Sequence, residues 1–214
     1  MKKTLRRIGF IINDPTSDYC QMLVKGMQEA CYNHNCTLYI FPVGEYGKLY
    51  SPFDYQKRAV AAFINSKNLD GLIFSSSVHG THVSFEKLLK YIHSFSDIPV
   101  ISLNLEIPGI TSILADCKPG LDHMISHLIT KHKCKRIALM NAVGNSKEAE
   151  DRANVYKTVL ERYGIPYEES LVLYGFFNYS MAYKALEDYR NEHHYLDFDA
   201  IVCLNDYMAY AAID

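Results

Sequence analysis

The sequence predicts an α/β fold built as two consecutive modules, each a parallel sheet wrapped by helices. Two observations predict it. Short apolar runs of strand length alternate with amphipathic stretches of about 10 to 15 residues, the mark of βαβ units. That rhythm pauses near residue 117 and then starts again, so the modules are expected at 1–117 and 118–214, with the second one or more units short at its C-terminus.

The first module opens with a buried strand from Arg7 to Ile12, ended by Asn13-Asp14-Pro15. From Asp18 the apolar residues Leu23, Val24, Met27, Ala30 and Cys31 recur at helical spacing. Thr37 to Phe41 reads as a second strand, followed by the Gly/Tyr/Pro loop GEYGKLYSPFDYQ and a helix with Val60, Phe63 and Ile64 inward. LDGLIFSSS is a third strand, Phe85, Leu88, Leu89 and Ile92 mark a helix, IPVISLN is a fourth strand and TSILAD (111–116) a short fifth. In the second module helices are expected over Pro119–Ile129, about Lys147–Tyr163 and Tyr179–Tyr189, with a last one opening at Asp206. The strands between them are Arg136–Met140, Ser170–Leu173 and Ala200–Leu204, and Gly164-Ile165-Pro166 is a helix stop. No repeat is expected beyond this shared rhythm.

Composition excludes several classes. The chain of 214 residues carries 22 Lys+Arg against 24 Asp+Glu, a formal charge of −2, which disfavours direct grip on nucleic acid. No apolar run approaches the roughly 20 residues of a membrane span. The N-terminus lacks a signal peptide, because Asn13-Asp14-Pro15 cuts the first apolar run short. The six cysteines show no metal or CxxC spacing and read as reduced thiols of a cytoplasmic protein, a Cys31–Cys36 disulfide being the alternative.

Open parallel sheets bind ligands at the carboxyl ends of their strands, and the candidate residues lie there. After the first strand come Asn13, Asp14, Ser17, Asp18 and Tyr19, where an Asx turn and a helix cap compete with a binding role, and Tyr19 offers a stacking face. Ser75, Ser76, Ser77, Val78 and His79 follow the third strand, and Asn104, Leu105 and Glu106 the fourth. Arg152 lies near Asn145, Ser146 and Glu150, with an i,i+4 ion pair to Glu148 as the bland account. Asp206 opens a helix, and Phe177-Asn178-Tyr179-Ser180 is an aromatic-polar cluster after a strand. Several of the 17 tyrosines are expected to face a crevice, at 19, 46, 50, 55, 174 and 179. His193, His194, Asp197 and Asp199 form either a metal site or, as the simpler reading, a solvated loop. There is no G-x-S-x-G, G-x-G-x-x-G, P-loop or H-E-x-x-H, so the chain reads as a binding protein without catalytic residues, cofactor or metal. An enzyme on a flavodoxin-like fold and an exported solute-binding protein are the competing classes.

With these residues in hand, the sequence resembles the effector-binding core of the lactose/galactose repressor family, a type I periplasmic-binding-protein-like fold of two Rossmann-like lobes. The resemblance rests on RRIGFIINDPTSDYCQMLVKGMQEAC, DGLIF, IPVISLN, ILADCKPGLDHMISHLITKHKCKRIALM, EDRANVYKTVLERYGI and DAIVCLNDYMAYAAID, in that order along nearly the whole chain. It implies a small polar effector, sugar- or purine-like, clamped by Asp14, Tyr19, Arg152 and Asp206, and a homodimer; Ser75, from its place after the third strand, is a further ligand-binding candidate. Val155 stands where the family's arginine helix usually has glycine, and Cys117 and Pro119 alter the junction between lobes. Because the core starts at about residue 7 without a helix-turn-helix, the expected role is an N-terminal cytoplasmic sensor regulating a missing C-terminal output such as a diguanylate cyclase or histidine kinase. The alternative is the effector core of a transcriptional regulator of this family.

Overall fold

The computed structural model describes residues 5–44, 46–47, 53–75, 83–142 and 147–214. The chain divides into two compact units, Met1–Ala115 and Asp116–Asp214.

In the first unit the elements run β1 (Arg6–Ile12), α1 (Asp18–Asn33), β2 (Cys36–Pro42), α2 (Asp54–Val60), a 3-10 turn (Ala61–Phe63), β3 (Gly71–Ser75), α3 (Phe85–His93), β4 (Val100–Leu103) and β5 (Thr111–Ile113). The sheet is parallel, in the order β2-β1-β3-β4-β5. Its central strand explains the unbroken apolar run of the sequence. Phe10 and Ile12 pack on Cys20, Leu23, Val24 and Met27 of α1, while Ile11 between them faces Phe41, Leu72, Phe74 and Leu88. Both faces are covered, so alternation disappears. One expected core residue is not there. Phe63 is 64% exposed, because the chain tightens into the 3-10 turn after Val60 and turns that side chain outward, leaving Ile64 to be buried.

The second unit runs α4 (Lys118–Thr130), β6 (Ile137–Asn141), α5 (Lys147–Arg162), a 3-10 turn (Glu169–Leu171), β7 (Val172–Tyr174), α6 (Tyr179–His193), β8 (Ala200–Cys203) and α7 (Asp206–Ile213). Its three parallel strands lie in the order β7-β6-β8. The strand expected at 170–173 begins two residues later, since Ser170 belongs to the 3-10 turn. Tyr156 is fully buried in this core and its hydroxyl donates to the Ile137 carbonyl at 2.6 Å, which satisfies the one polar atom it carries inward.

The two units share more than rhythm, which corrects the expectation that no repeat exists. In the first, the Asp70 carboxylate accepts from the backbone N–H of Arg7 at 2.7 Å, and Asp70 N–H donates to the Arg7 carbonyl at 2.8 Å. In the second, Asp199 accepts from the N–H groups of Lys135 and Arg136 at 2.7 and 2.9 Å, and its own N–H donates to the Arg136 carbonyl at 2.7 Å. The registers match: Ile8 pairs with Gly71, and Ile137 with Ala200. Arg-Ile-Gly-Phe-Ile followed by Asp-Gly-Leu-Ile-Phe thus corresponds to Arg-Ile-Ala-Leu-Met followed by Asp-Ala-Ile-Val-Cys, with 63 residues from arginine to aspartate in both.

Candidate functional site

At the carboxyl end of the first sheet, Asp14 closes an Asx turn. Its Oδ1 accepts from the Thr16 hydroxyl at 2.6 Å and the Thr16 N–H at 2.8 Å, and these bonds, the hydroxyl first, hold the carboxyl below its ordinary range. Ser17, rather than Asp18, caps α1 by accepting from Cys20 N–H at 3.3 Å. That leaves Tyr19 on the first turn, 45% exposed, with its hydroxyl accepting from Asn104 Nδ2. Asn104 follows β4 in the left-handed region (φ 62°), a conformation asparagine tolerates, and its N–H donates to the Ile113 carbonyl at 2.8 Å. The first unit therefore brings Tyr19 and Asn104 together.

Ser75 sits at the end of β3 with no solvent exposure and no partner for its hydroxyl among the described residues. Ser76, Ser77, Val78 and His79 lie outside the described residues, as do Tyr50, Asn145 and Ser146. Tyr46 stacks on Tyr91 at 4.2 Å between centroids and packs against the first unit's core.

In the second unit Arg152, on α5, is held on three sides. Its Nε donates to Cys117 Sγ at 3.3 Å, and its two terminal nitrogens donate to the Leu204 carbonyl and to Glu148. The bland ion pair and the placement at the strand ends are thus both present, because Leu204 directly follows β8. Asn205 caps α7, accepting from Met208 N–H at 3.0 Å, and its Nδ2 donates to the Phe177 carbonyl at 3.0 Å. Asp206 is exposed on the first turn of α7. Asn205 therefore ties the end of β8 to the loop after β7.

That loop carries a feature the sequence reading missed. Asn178 N–H donates to Gly175 C=O at 2.8 Å across a turn whose two central residues, Phe176 and Phe177, both have positive φ (53° and 57°). Two positive values are the pattern of a type I′ turn, which glycine and asparagine normally supply. A non-glycine residue held there costs roughly 1–3 kcal/mol, and such strain gathers at ligand clamps and switches. Gly175 enables the turn, for a Cβ there would stand 2.9 Å from Ala182 Cβ and 2.6 Å from Met208 Sδ. The only signal in the sequence was an aromatic pair where turn residues belong.

The His193 to Asp199 loop is structural. His193 stacks on Tyr189, Asp197 accepts from Tyr189 and Arg136, and Asp199 caps the start of β6. No group of three His, Cys, Asp or Glu among the described residues is placed to hold a metal ion. A groove of about 810 Å³ is lined by α4, α5 and Tyr163, but not by the strand ends, and the Asp122–Arg162 ion pair belongs to its wall. None of the described helices is long and apolar enough to cross a membrane.

Residues 6–214 match the family described as periplasmic binding proteins and sugar binding domain of LacI family. The chain belongs to that family. Membership agrees with the two-lobed parallel α/β architecture and with a binding rather than a catalytic role. A curated relative of this LacI-type chain, the HTH-type transcriptional repressor PurR of Photobacterium profundum, is 23% identical over 216 residues. The alignment covers 98% of this chain and 59% of that repressor, so the chain spans about three fifths of the relative's length. Among solved structures, a LacI family transcriptional regulator from Enterococcus faecium with bound ribose is similar at TM-score 0.74 and 18% identity, over 97% of this chain and 70% of that one. A sugar-binding LacI-family regulator from Escherichia coli complexed with phosphate is similar at TM-score 0.70 and 20% identity, over 99% and 72%. At such identities the likeness shows the fold. The curated relative and the similar structures named as regulators act in transcription, which overturns the expected cyclase or kinase output. That expectation rested on where the core starts, and the position of a core says nothing of what it controls.

Proposed function

We propose that this LacI-type chain is the effector-binding core of a transcriptional regulator and takes a small polar ligand at the carboxyl ends of its strands. The observation that carries this reading is the family match, which runs from residue 6 to residue 214. The chemistry at those ends is compatible with it: Asp14 is an ionised acceptor, Tyr19 an aromatic face, Arg152 a forked donor and Asp206 a second carboxylate. Donors, acceptors and aromatic faces of these kinds fit hydroxyl-bearing molecules. Ligand binding would shift the protein between states only as far as the ligand prefers one of them, and a homodimer would pass the change on by symmetry. The regulator would act in the cytoplasm, with DNA contact made outside this chain, whose net charge is −2.

A thermal-shift screen of neutral monosaccharides and purine bases, run on the wild type and on Arg152→Ala, tests the reading. A compound that raises the Tm of the wild type and has no effect on Arg152→Ala is the expected result. Binding that survives the substitution would remove Arg152 from the site. The absence of any responding compound would remove the effector-binding reading.

A further inference from the structure

Two features near the strand ends of the second unit would ordinarily attract an anion: the Arg152 guanidinium and the amino end of α5. The chain answers both itself. Glu148 takes an N–H of the guanidinium, and its side chain is 36% exposed against 21% for Arg152. Glu148 and Glu150 also fill the first turn of α5, where they meet the positive end of the helix dipole. Asp206 adds another carboxylate one residue beyond Asn205. The nearby Lys118 is spent on Asp151 at 3.4 Å. The guanidinium of Arg152 is thus met at close range by the carboxylate of Glu148.

From this arrangement we propose that Glu148 is a built-in charge filter, which sets the effector of this LacI-type core as an uncharged, hydroxyl-rich molecule and rejects phosphorylated or carboxylated ones. The inference rests on the effector-binding reading above and narrows it. Among the described residues, three of the five guanidinium N–H groups are engaged, by Cys117, Leu204 and Glu148, and the other two have no described partner. A hydroxyl accepts from such an N–H and donates to a neighbouring carboxylate, so the mixed set satisfies it in both directions. A phosphate only accepts. It would meet Glu148 as a like charge, or would have to displace a carboxylate tethered one helical turn from Arg152, at i,i+4. Cys117 and Leu204 fix the guanidinium without neutralising it, so the filter resides in Glu148.

Calorimetric titration of the whole chain with matched pairs tests the filter. The probes are ribose, glucose and galactose, their phosphate esters, and inorganic phosphate, each against the wild type, Glu148→Gln and Arg152→Ala. The wild type is expected to bind a free sugar at least roughly tenfold more tightly than its ester, and Glu148→Gln to gain roughly tenfold or more for the ester or for phosphate. Binding of an ester or phosphate by the wild type as tightly as the free sugar, and lost in Arg152→Ala, would overturn the filter and leave the effector site standing. If no probe binds the wild type or Glu148→Gln, the filter falls together with the effector-binding reading. Should Glu148→Gln fail to fold, the wild-type comparison of sugar with ester decides alone.

Discussion

Phe176 shows how a single residue can be badly suited to its conformation. It lies in the left-handed region, it is half exposed, and it is followed by a second left-handed phenylalanine. Replacing it with glycine removes the Cβ clash of that region, worth about 1–2 kcal/mol, at the loss of little buried surface. The Tm of Phe176→Gly is expected to rise by a few degrees. An unchanged or lower Tm in a differential scanning measurement would mean that the ring contributes as much as the backbone loses. At this scale the sequence was partly legible. Asp14 and Asp206 closely follow strands, as chain order alone dictates, whereas Arg152 lies in the second turn of α5 and reaches the end of β8 through the Leu204 carbonyl. Ser75 also ends its strand, but its side chain is buried, because the last residue of a strand can face inward as readily as outward, and only packing decides.

Among the elements, the helix starts follow side-chain chemistry closely. Ser17, Ser84, Asn178 and Asn205 each accept a backbone N–H three residues on. Asn205 differs in using its other atom as well, donating to the Phe177 carbonyl. Asn205→Asp keeps the cap acceptor and loses the donor, whereas Asn205→Ala loses both. Chemical denaturation is therefore expected to rank wild type above Asp above Ala, with about 1 kcal/mol or more separating the ends. Equal stability of the Asp and wild-type forms would show that the tie to the β7–α6 loop carries no weight. Every strand and helix proposed from the sequence is present, because capping and periodicity are local properties. Phe63 escaped for the opposite reason. The switch from α to 3-10 after Val60 rotates the face by a fraction of a turn, and hydrophobic spacing over so short a helix does not resolve it.

Across the whole molecule the repeated aspartate is the main electrostatic theme. Asp70 is held below the usual carboxylate range by the Arg7 side chain and then by its backbone N–H, and Asp199 by the backbone N–H groups of Lys135 and Arg136. Asp197 is lowered too, by Tyr189 and Arg136. Since these folded values lie below the unfolded one, about 3.9, their contribution is complete above roughly pH 4 and is lost as pH falls through the lowered values. Thermal melts between pH 5 and 2 should therefore show a steep acid decline, and a shallower one for Asp70→Asn with Asp199→Asn. Identical slopes would place the acid sensitivity elsewhere. The duplication was present in the text, as Arg-Ile-Gly and Arg-Ile-Ala each followed 63 residues on by an aspartate, but most of the residues between have diverged, which hides it until the hydrogen bonds coincide.

These aspartate clamps fasten the amino-terminal ends of β1 and β6, while the candidate binding groups stand at the opposite, carboxyl-terminal ends. The anchoring bonds and the candidate binding groups thus lie at separate poles of each sheet. On the effector-binding reading proposed above, mutational drift at one pole would retune what is bound without eroding what keeps the domain together, and a designer could rebuild that pole while leaving the anchoring one untouched.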